Sequence, residues 1–449
     1  MRSRIVLRNP FVVGRWVTGV NHYGRQRLTQ YLLEIDNPAT WVVGTRRMGK
    51  TSLLRQLEWL TQKQESDLVP LFWDLQGCES AADLAGELVF TLESVAERFA
   101  PFGIVPEALE NKSAAIILRT LSRVLSRAGK RLFLLIDEAE VLIEIGQREP
   151  AILGQLRKAM QEPWQRTIIT STKLLSRLNE LEGVGLTSPF LFGFHPVNLW
   201  SLDPVAAHDL VAQAQNPVAL TVPMSQADDI LVHTNRHPFL VQHLCHLLFE
   251  SNADGTGYFR PITPEDTEPD HLLSGFFEID FQHLTPTERR ILLTIVRETV
   301  IADKALYASL GDLDPGRINN FLYGLVKLGY VRQVYGQWTA GNEFLRRWAQ
   351  QNLARLETQT ESLVSDANME AMLTRGRTLE IAYLRAEAER LQEQLRILQD
   401  AAAANASPLS PQELARAIES QRQELSAVSR EMKDVVNSDL IAKLSPVRA

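Results

Sequence analysis

Gly44-Thr45-Arg46-Arg47-Met48-Gly49-Lys50-Thr51 is the stretch that decides the fold of this 449-residue chain. It follows the apolar run Trp41-Val42-Val43 and opens a predicted helix. A strand before and a helix after are the flanks a phosphate-binding loop needs. The two glycines let the main chain curl so that its N–H groups point inward at an anion, and the helix start adds the positive end of its dipole. Gly44 and Gly49 shape the loop, Lys50 is expected to reach the β- and γ-phosphates, and Thr51 to set its hydroxyl on Mg²⁺. Arg47 and Ser52 complete the contacts expected around ATP or ADP. The bland alternative is a glycine-rich turn that meets the pattern by chance.

A second motif supports the first. Leu132-Phe133-Leu134-Leu135-Ile136 is a buried-strand run that ends in Asp137-Glu138. A carboxylate at a buried strand tip is costly unless a cation or hydrogen bonds compensate it, and Mg²⁺ supplies that compensation. Asp137 is the expected metal partner through water, and Glu138 the general base that activates the attacking water. The alternative is that both acids cap a following helix over 139–145. One more strand, Val69 to Leu75, lies between the motifs. An inserted strand together with a glutamate beside the metal aspartate favours the ATPase over the GTPase branch of such proteins. Thr170, Ser171 and Thr172 end the next strand, where a γ-phosphate sensor would sit. Ser171 and Thr172 are the candidates, with ordinary strand-end polarity as the equal alternative.

From 40 to about 200, further apolar runs at Thr167-Ile168-Ile169-Thr170 and Val197-Asn198-Leu199 alternate with helical patterns. Nearly continuous apolar strands are buried on both faces, which predicts a three-layer α/β architecture with a parallel sheet. Helical periods at 206–214, 226–234 and 238–250 predict a helical lid. The Gly-, Pro-, Thr- and Asp-rich stretch 251–270 reads as a linker. Thr285-Pro286-Thr287-Glu288 is a capping box that starts helices at 286–298, 303–310 and 315–328. A hairpin over 330–339 and a helix from 342 to about 353 follow, the order of a winged helix-turn-helix. Ile381, Ala388 and Leu395 alternate with Leu384, Leu391 and Leu398 as one a/d seam in a helical, coiled-coil-like tail. The Ala-rich break at 401–404 and Pro408 end it. A second amphipathic helix begins near Ser410 and carries Leu414, Ile418, Leu425, Val428, Met432 and Val435. The expected units are an ATPase core at 1–200, a lid at 201–280, a winged helix at 281–356 and a tail at 357–449.

Composition narrows the classes. With 45% hydrophobic, 22% charged and 7% aromatic residues the chain is globular rather than disordered or fibrous. A net charge of -7 gives no chain-wide attraction to a polyanion, although a local basic face remains open. Cys78 and Cys245 lack partners at metal-ligand spacing, and each is expected as a buried apolar residue in a reducing compartment. No run of about 18 apolar residues predicts a membrane span, and charge and proline interrupt residues 1–10 too early for a signal sequence. The expectation is a cytoplasmic protein.

These residues resemble the bacterial and archaeal AAA-like or STAND ATPases, the signal-transduction ATPases with numerous domains. Asn9-Pro10-Phe11-Val12-Val13-Gly14 with Tyr23-Gly24-Arg25 is similar to an N-terminal pattern that lies against the adenine, which implies nucleotide contacts by Tyr23 and Arg25. The loop continues as Ser52-Leu53-Leu54, and Leu135-Ile136-Asp137-Glu138-Ala139-Glu140 resembles the family's second motif. Asn235-Arg236-His237-Pro238-Phe239-Leu240 resembles the lid motif that contacts nucleotide through Pro238, with Asn or Arg where Gly is commonest. The resemblance covers about 9–350. It implies a switch in which ADP holds a closed form and ATP drives assembly.

The tail helices are expected to pair with another chain, as a protein partner or by self-association, or to fold back on each other. The third winged-helix segment offers Arg317, Asn319, Asn320 and Lys327 to a major groove but lacks a basic cluster. DNA binding of the initiator or transposition type is therefore the second functional expectation. A nucleotide-bound scaffold without turnover is the third.

Overall fold

The computed structural model describes residues 7–444, except 36, 64–65, 180–189, 217–219, 253, 360–365 and 404–409. Residues 1–6 of the stretch read for a signal sequence, and Ala404 and Pro408 of the break in the tail, lie outside the described residues. No described helix is long and apolar enough to cross a membrane.

Strands β1 (Ala39–Val43), β2 (Leu68–Asp74), β3 (Arg131–Asp137), β4 (Gln165–Ser171) and β5 (His195–Asn198) form one parallel sheet in the order β2-β3-β4-β1-β5. Every residue of β1 and β4 is buried. The period-two alternation of a strand sends Val42, Phe133, Leu135 and Ile168 to one face. There they meet α1 (Gln26–Glu34) and α2 (Lys50–Lys63) through Leu32, Leu53, Leu54 and Leu57. Trp41, Trp73, Leu134, Ile136 and Ile169 point the other way. They are covered by α3 (Ala81–Ser94), α4 (Ala96–Phe99), α5 (Ala114–Arg127), α6 (Val141–Arg148) and α7 (Pro150–Met160). Ser80 and Ser113 cap α3 and α5 by accepting from the amides of Asp83 and Ile116. This is the expected three-layer α/β fold. The strand expected between the two motifs in sequence is β2; it pairs with the outer side of β3, and β4 lies between β1 and β3 in the sheet.

The lid consists of α8 (Pro204–Ala212), α9 (Met224–Thr234) and α10 (Pro238–Leu248). The stretch expected as a linker is built structure. β6 (Phe249–Ser251) and β7 (Gly257–Phe259) pair as a hairpin whose Phe249 and Phe259 rings lie 6.4 and 5.5 Å from that of Phe11. Arg260 grips the Asp266 carboxylate at 2.7 and 2.5 Å, and Asp266 closes a capping box with Thr263. Polar composition hid these contacts because each joins residues that carry no helical or strand period.

Next come α11 (His271–Gln282), α12 (Pro286–Glu298), β8 (Ile301–Ala302), α13 (Asp303–Ser309), α14 (Pro315–Lys327), β9 (Val331–Val334), β10 (Gln337–Ala340), α15 (Glu343–Gln351) and α16 (Leu353–Thr358). The Thr285/Glu288 capping box is present as expected. Tyr335 and Gly336 make the β9–β10 turn at φ of 50° and 75°, the left-handed geometry that suits a tight hairpin. β8 adds a third strand to the wing that two residues of sequence do not announce.

The tail pairs within the chain. Helices α17 (Asp366–Ala403) and α18 (Pro411–Leu444) pack together and bury Leu384, Ala388, Leu391, Val428 and Val435. The pair also docks on the rest of the molecule. The ring of Tyr383 lies 4.7 Å from that of Tyr31 on α1. Glu380 accepts from the hydroxyl of Tyr323 and pairs with Lys327, both on α14. Leu373 lies so close over Gly324 that a Cβ there would come within 2.6 Å of it.

Candidate active site

The loop 44–49 bends through positive φ at Arg47 (60°) and Gly49 (93°), which turns successive main-chain groups inward before α2 begins at Lys50. The Lys50 ammonium is buried and donates to the carbonyls of Gly44 and Thr45, each at 3.2 Å. Thr51 Oγ1 donates to Asp137 Oδ2 at 2.5 Å, and Thr170 Oγ1 donates to Asp137 Oδ1. Asp137 is only 2% exposed, so these two hydroxyls compensate a carboxylate that the sheet withdraws from water.

Glu138 leaves the strand at a φ of 53°, and α6 starts only at Val141. Neither acid caps that helix, whose N-cap Glu140 makes no side-chain cap bond. Glu138 lines the cleft, where burial and then the neighbouring Glu140 raise its pKa against the opposing pull of Lys50. A raised carboxyl close to a lysine is the setting in which a general base is tuned.

The cleft is about 510 Å³. Of the predicted residues it brings together Tyr23, Arg25, Arg47, Gly49, Lys50, Thr51, Ser52, Glu138 and Pro238. The N-terminal segment forms one wall because its amides are tied to α2 and the lid: Val17 donates to Ser52 Oγ, Gly19 to Gln56 and Val12 to Gln242. Arg25 is held against the loop by a 3.0 Å bond to the Met48 carbonyl, and burial lowers its pKa to about 10 while Asp203 opposes the shift. His22 beside it is pushed down to about 4 by burial and by Arg25, which keeps the imidazole neutral at this wall. Pro238 opens α10, and the Arg47 guanidinium stands 5.4 Å from the centre of the Phe239 ring.

Gly44 and Asp137 lie beneath the cleft rather than on its surface. Ser171 accepts from the Trp41 indole at 2.7 Å and does not line the cleft. Thr172 lines a separate small cavity behind the loop, and its buried Oγ1 has no hydrogen-bond partner among the described residues.

Several contributors had no sequence signal. Thr170 had one as a polar residue at a strand end, but its role differs: its hydroxyl holds Asp137. Arg46, Gln76 and Phe239 line the cleft. Lys173, 3% exposed, forms an ion pair with Glu288, which is fully buried in the cap of α12. Asp280 on α11 is 3% exposed, and its Oδ1 accepts from the Arg46 amide at 3.5 Å. Burial pushes the Asp280 carboxyl up to about 7, partly offset by Lys50, Arg46 and Lys173. The signal available for Glu288 was its capping box, which accounts for only one of its two roles.

A parallel sheet with its phosphate-binding loop between β1 and α2, and an acidic pair at the tip of β3, defines a P-loop nucleoside triphosphatase fold. Residues 36–178 match the family model described as an AAA domain, and this part of the chain is an AAA-like P-loop ATPase domain. No curated protein matches the sequence. Among solved structures, the Walker-type ATPase PABY2304 of Pyrococcus abyssi superposes with a TM-score of 0.52 at 17% identity, over 76% of this chain and 99% of that one. The ORC2 protein of Aeropyrum pernix, in its ADPNP–ADP complexes, matches over 74% of this chain and 97% of that one at 14% identity and a TM-score of 0.42. Cdc6p of Pyrobaculum aerophilum gives 15% identity and a TM-score of 0.36 over 80% and 100%. At such identities the first likeness shows the fold alone, and the other two carry no further argument.

Proposed function

We propose that this chain binds ATP with Mg²⁺ in the cleft, hydrolyses it slowly and uses the ATP/ADP difference as a regulatory switch of the STAND type in the cytoplasm. The observation that carries the reading is Lys50: a buried ammonium whose hydrogen bonds go to the main-chain carbonyls of its own loop. No carboxylate among the described residues hydrogen-bonds this cation, although Asp280 and Glu138 feel its charge. It stands where inward-pointing amides and a helix N-terminus converge, which fits a phosphate chain. The residues present fit the metal as well. Thr51 and Asp137 already share a hydrogen bond and are the pair that would hold Mg²⁺, which supplies neutralisation of phosphate charge when bound.

In this reading Lys50 and the amides of the loop fix the phosphates, with Gly44, Gly49, Arg47 and Ser52 around them. Tyr23, Arg25 and Pro238 shape the base-side wall. Glu138 takes the proton of the attacking water. Ser171 orders β4 through Trp41, and Thr172 is the sensor candidate with a free hydroxyl oxygen. We divide the chain into a core at 1–200, a lid at 201–280, a winged helix at 281–356 and a tail at 357–449, the last presenting a surface to a protein partner or a second copy. The DNA reading gains no observation, since α14 carries the tail on its outer face.

Single-turnover hydrolysis and nucleotide binding of a Glu138→Gln variant test the assignment. Binding within about threefold of wild type with turnover reduced about 100-fold or more is expected for a lost general base. Equal, measurable turnover would remove Glu138 as the base, and binding without turnover in either protein would make it a nucleotide-bound scaffold.

A further inference from the structure

The second cavity adjoins the start of the loop, whose later residues line the cleft, and the end of α11 borders it. It is lined by Gly44, Thr45, Thr172, Lys173, Asp280 and His283 among others. Three features meet there: a loop amide that donates to Asp280, the partnerless hydroxyl oxygen of Thr172 and the cation Lys173. Lys50, which lines the cleft, is the strongest charge acting on Asp280. Apart from Asp280 these are phosphate-binding groups: a main-chain donor, a hydroxyl and two ammoniums. His283 is driven down to about 3 by burial and by Arg46, Lys173 and Lys50, so it adds no further positive charge. Lys173 already pairs with Glu288, and the carboxylate of Asp280 is the anion held by the loop amide under the charge of Lys50.

We propose that Asp280 determines which nucleotide the closed arrangement accepts, by engaging with its carboxylate the donors and cations that a third phosphate requires. The proposal rests on the adenine-nucleotide reading of the cleft and deepens it. With Asp280 in place, a nucleoside diphosphate needs no displacement, whereas a triphosphate brings a second anion to the same amide and lysines. The two anions share one set of counter-charges at low dielectric, so one of them must leave. Asp280 leaves only if α11 moves.

The movement has a defined route. Asp280 lies five residues before Thr285 in sequence, which caps α12 together with Glu288. Glu288 in turn holds Lys173, two residues after the end of β4. The hydroxyl of Tyr330, which precedes β9, donates to the Asp280 carbonyl at 3.4 Å. Displacing the carboxylate therefore disturbs the seam along which α11, α12 and the wing meet the core. A ligand shifts such an equilibrium only by its differential contacts with the two arrangements, and the third phosphate supplies that difference.

Calorimetric titration of the full-length protein with Mg²⁺, using ADP and a non-hydrolysable ATP analogue, tests this on wild type and Asp280→Asn. Asparagine keeps the shape and the acceptor but removes the charge. The expected result is a wild type that prefers ADP and a variant whose affinity for the analogue rises roughly 10- to 100-fold, with ADP affinity changed less than about threefold. Asp280→Ala, which removes charge and acceptor together, is expected to do the same and guards against a substitution-specific fold defect. Equal change for both nucleotides, no change for either, or a wild type that prefers the analogue overturns the role of Asp280 while leaving the nucleotide site intact. A wild type that takes up neither ligand overturns the nucleotide reading itself, and this proposal with it.

Discussion

Two buried lysines whose charges act on Asp280 differ in what they hold. Lys50, in the loop, reaches only the carbonyls of Gly44 and Thr45, whereas Lys173, after β4, has the carboxylate of Glu288. A carbonyl dipole leaves most of an ammonium charge uncompensated, and a carboxylate cancels it. The first region is thus built to receive an anion from outside, and the second has already received one from α12. Burial alone does not mark a functional cation; the identity of its partner does.

The largest effect is expected at the satisfied lysine. Lys173→Met leaves Glu288 buried without its cation and is expected to cost about 3–5 kcal/mol of folding stability, read by urea denaturation. If the loss is under about 1 kcal/mol, Glu288 has another counter-charge and the contrast fails. Lys50→Ala is expected to do the reverse. Removing a buried charge that hydrogen-bonds only to carbonyls leaves the nucleotide-free fold about as stable, while nucleotide affinity falls about 100-fold, roughly 2.7 kcal/mol. A variant that unfolds with binding unimpaired in its folded fraction would reverse the assignment.

The smallest effect concerns Asp280 and pH. Its folded pKa of about 7 lies above the value of about 3.9 expected unfolded, so the fold disfavours the charged form. Wild-type stability is therefore expected to decline relative to Asp280→Asn as pH rises from about 4 to about 7. The difference is absent below that window and reaches roughly 2–4 kcal/mol above it. Lys50, Arg46 and Lys173 oppose the shift. His283, pushed down to about 3, adds a pH dependence of opposite sign between about 3 and 6.5 that both proteins share and that cancels in the comparison. Parallel melting curves of the two proteins from pH 4 to 8 measure it, and a gap that does not change with pH would mean Asp280 is already paired.

What the sequence revealed was what is contiguous in it. The loop 44–51, the acidic tip of β3 and the apolar strands each carry their signal within a few residues, because main-chain curvature and two-sided burial leave local patterns. Asp280 and the Lys173–Glu288 pair leave none. Each is a single polar residue whose partner lies far away in the chain, and nothing in a stretch such as Phe276-Phe277-Glu278-Ile279-Asp280 distinguishes the acid that turns inward from the one that does not. Glu288 was recognised as a cap and missed as an ion-pair partner for the same reason. The hairpin β6–β7 was obscured by its own turn chemistry, since Gly and Asp serve a tight turn and a loose connection alike.

Tyr383 and Glu380 lie on the same turn of α17, and they face different bodies: one rests on α1 of the nucleotide-binding core, the other on α14. A single helical turn is a stiff object about 5.4 Å long. It behaves like a latch with two teeth, and the core and the winged-helix elements cannot swing apart while both are engaged. The same latch lies over the face of α14 that would enter a groove about 12 Å wide in duplex DNA. Parting the two bodies needs only one tooth to let go; release at Glu380 uncovers that helix, whereas release at Tyr383 leaves the 38-residue rod riding on α14.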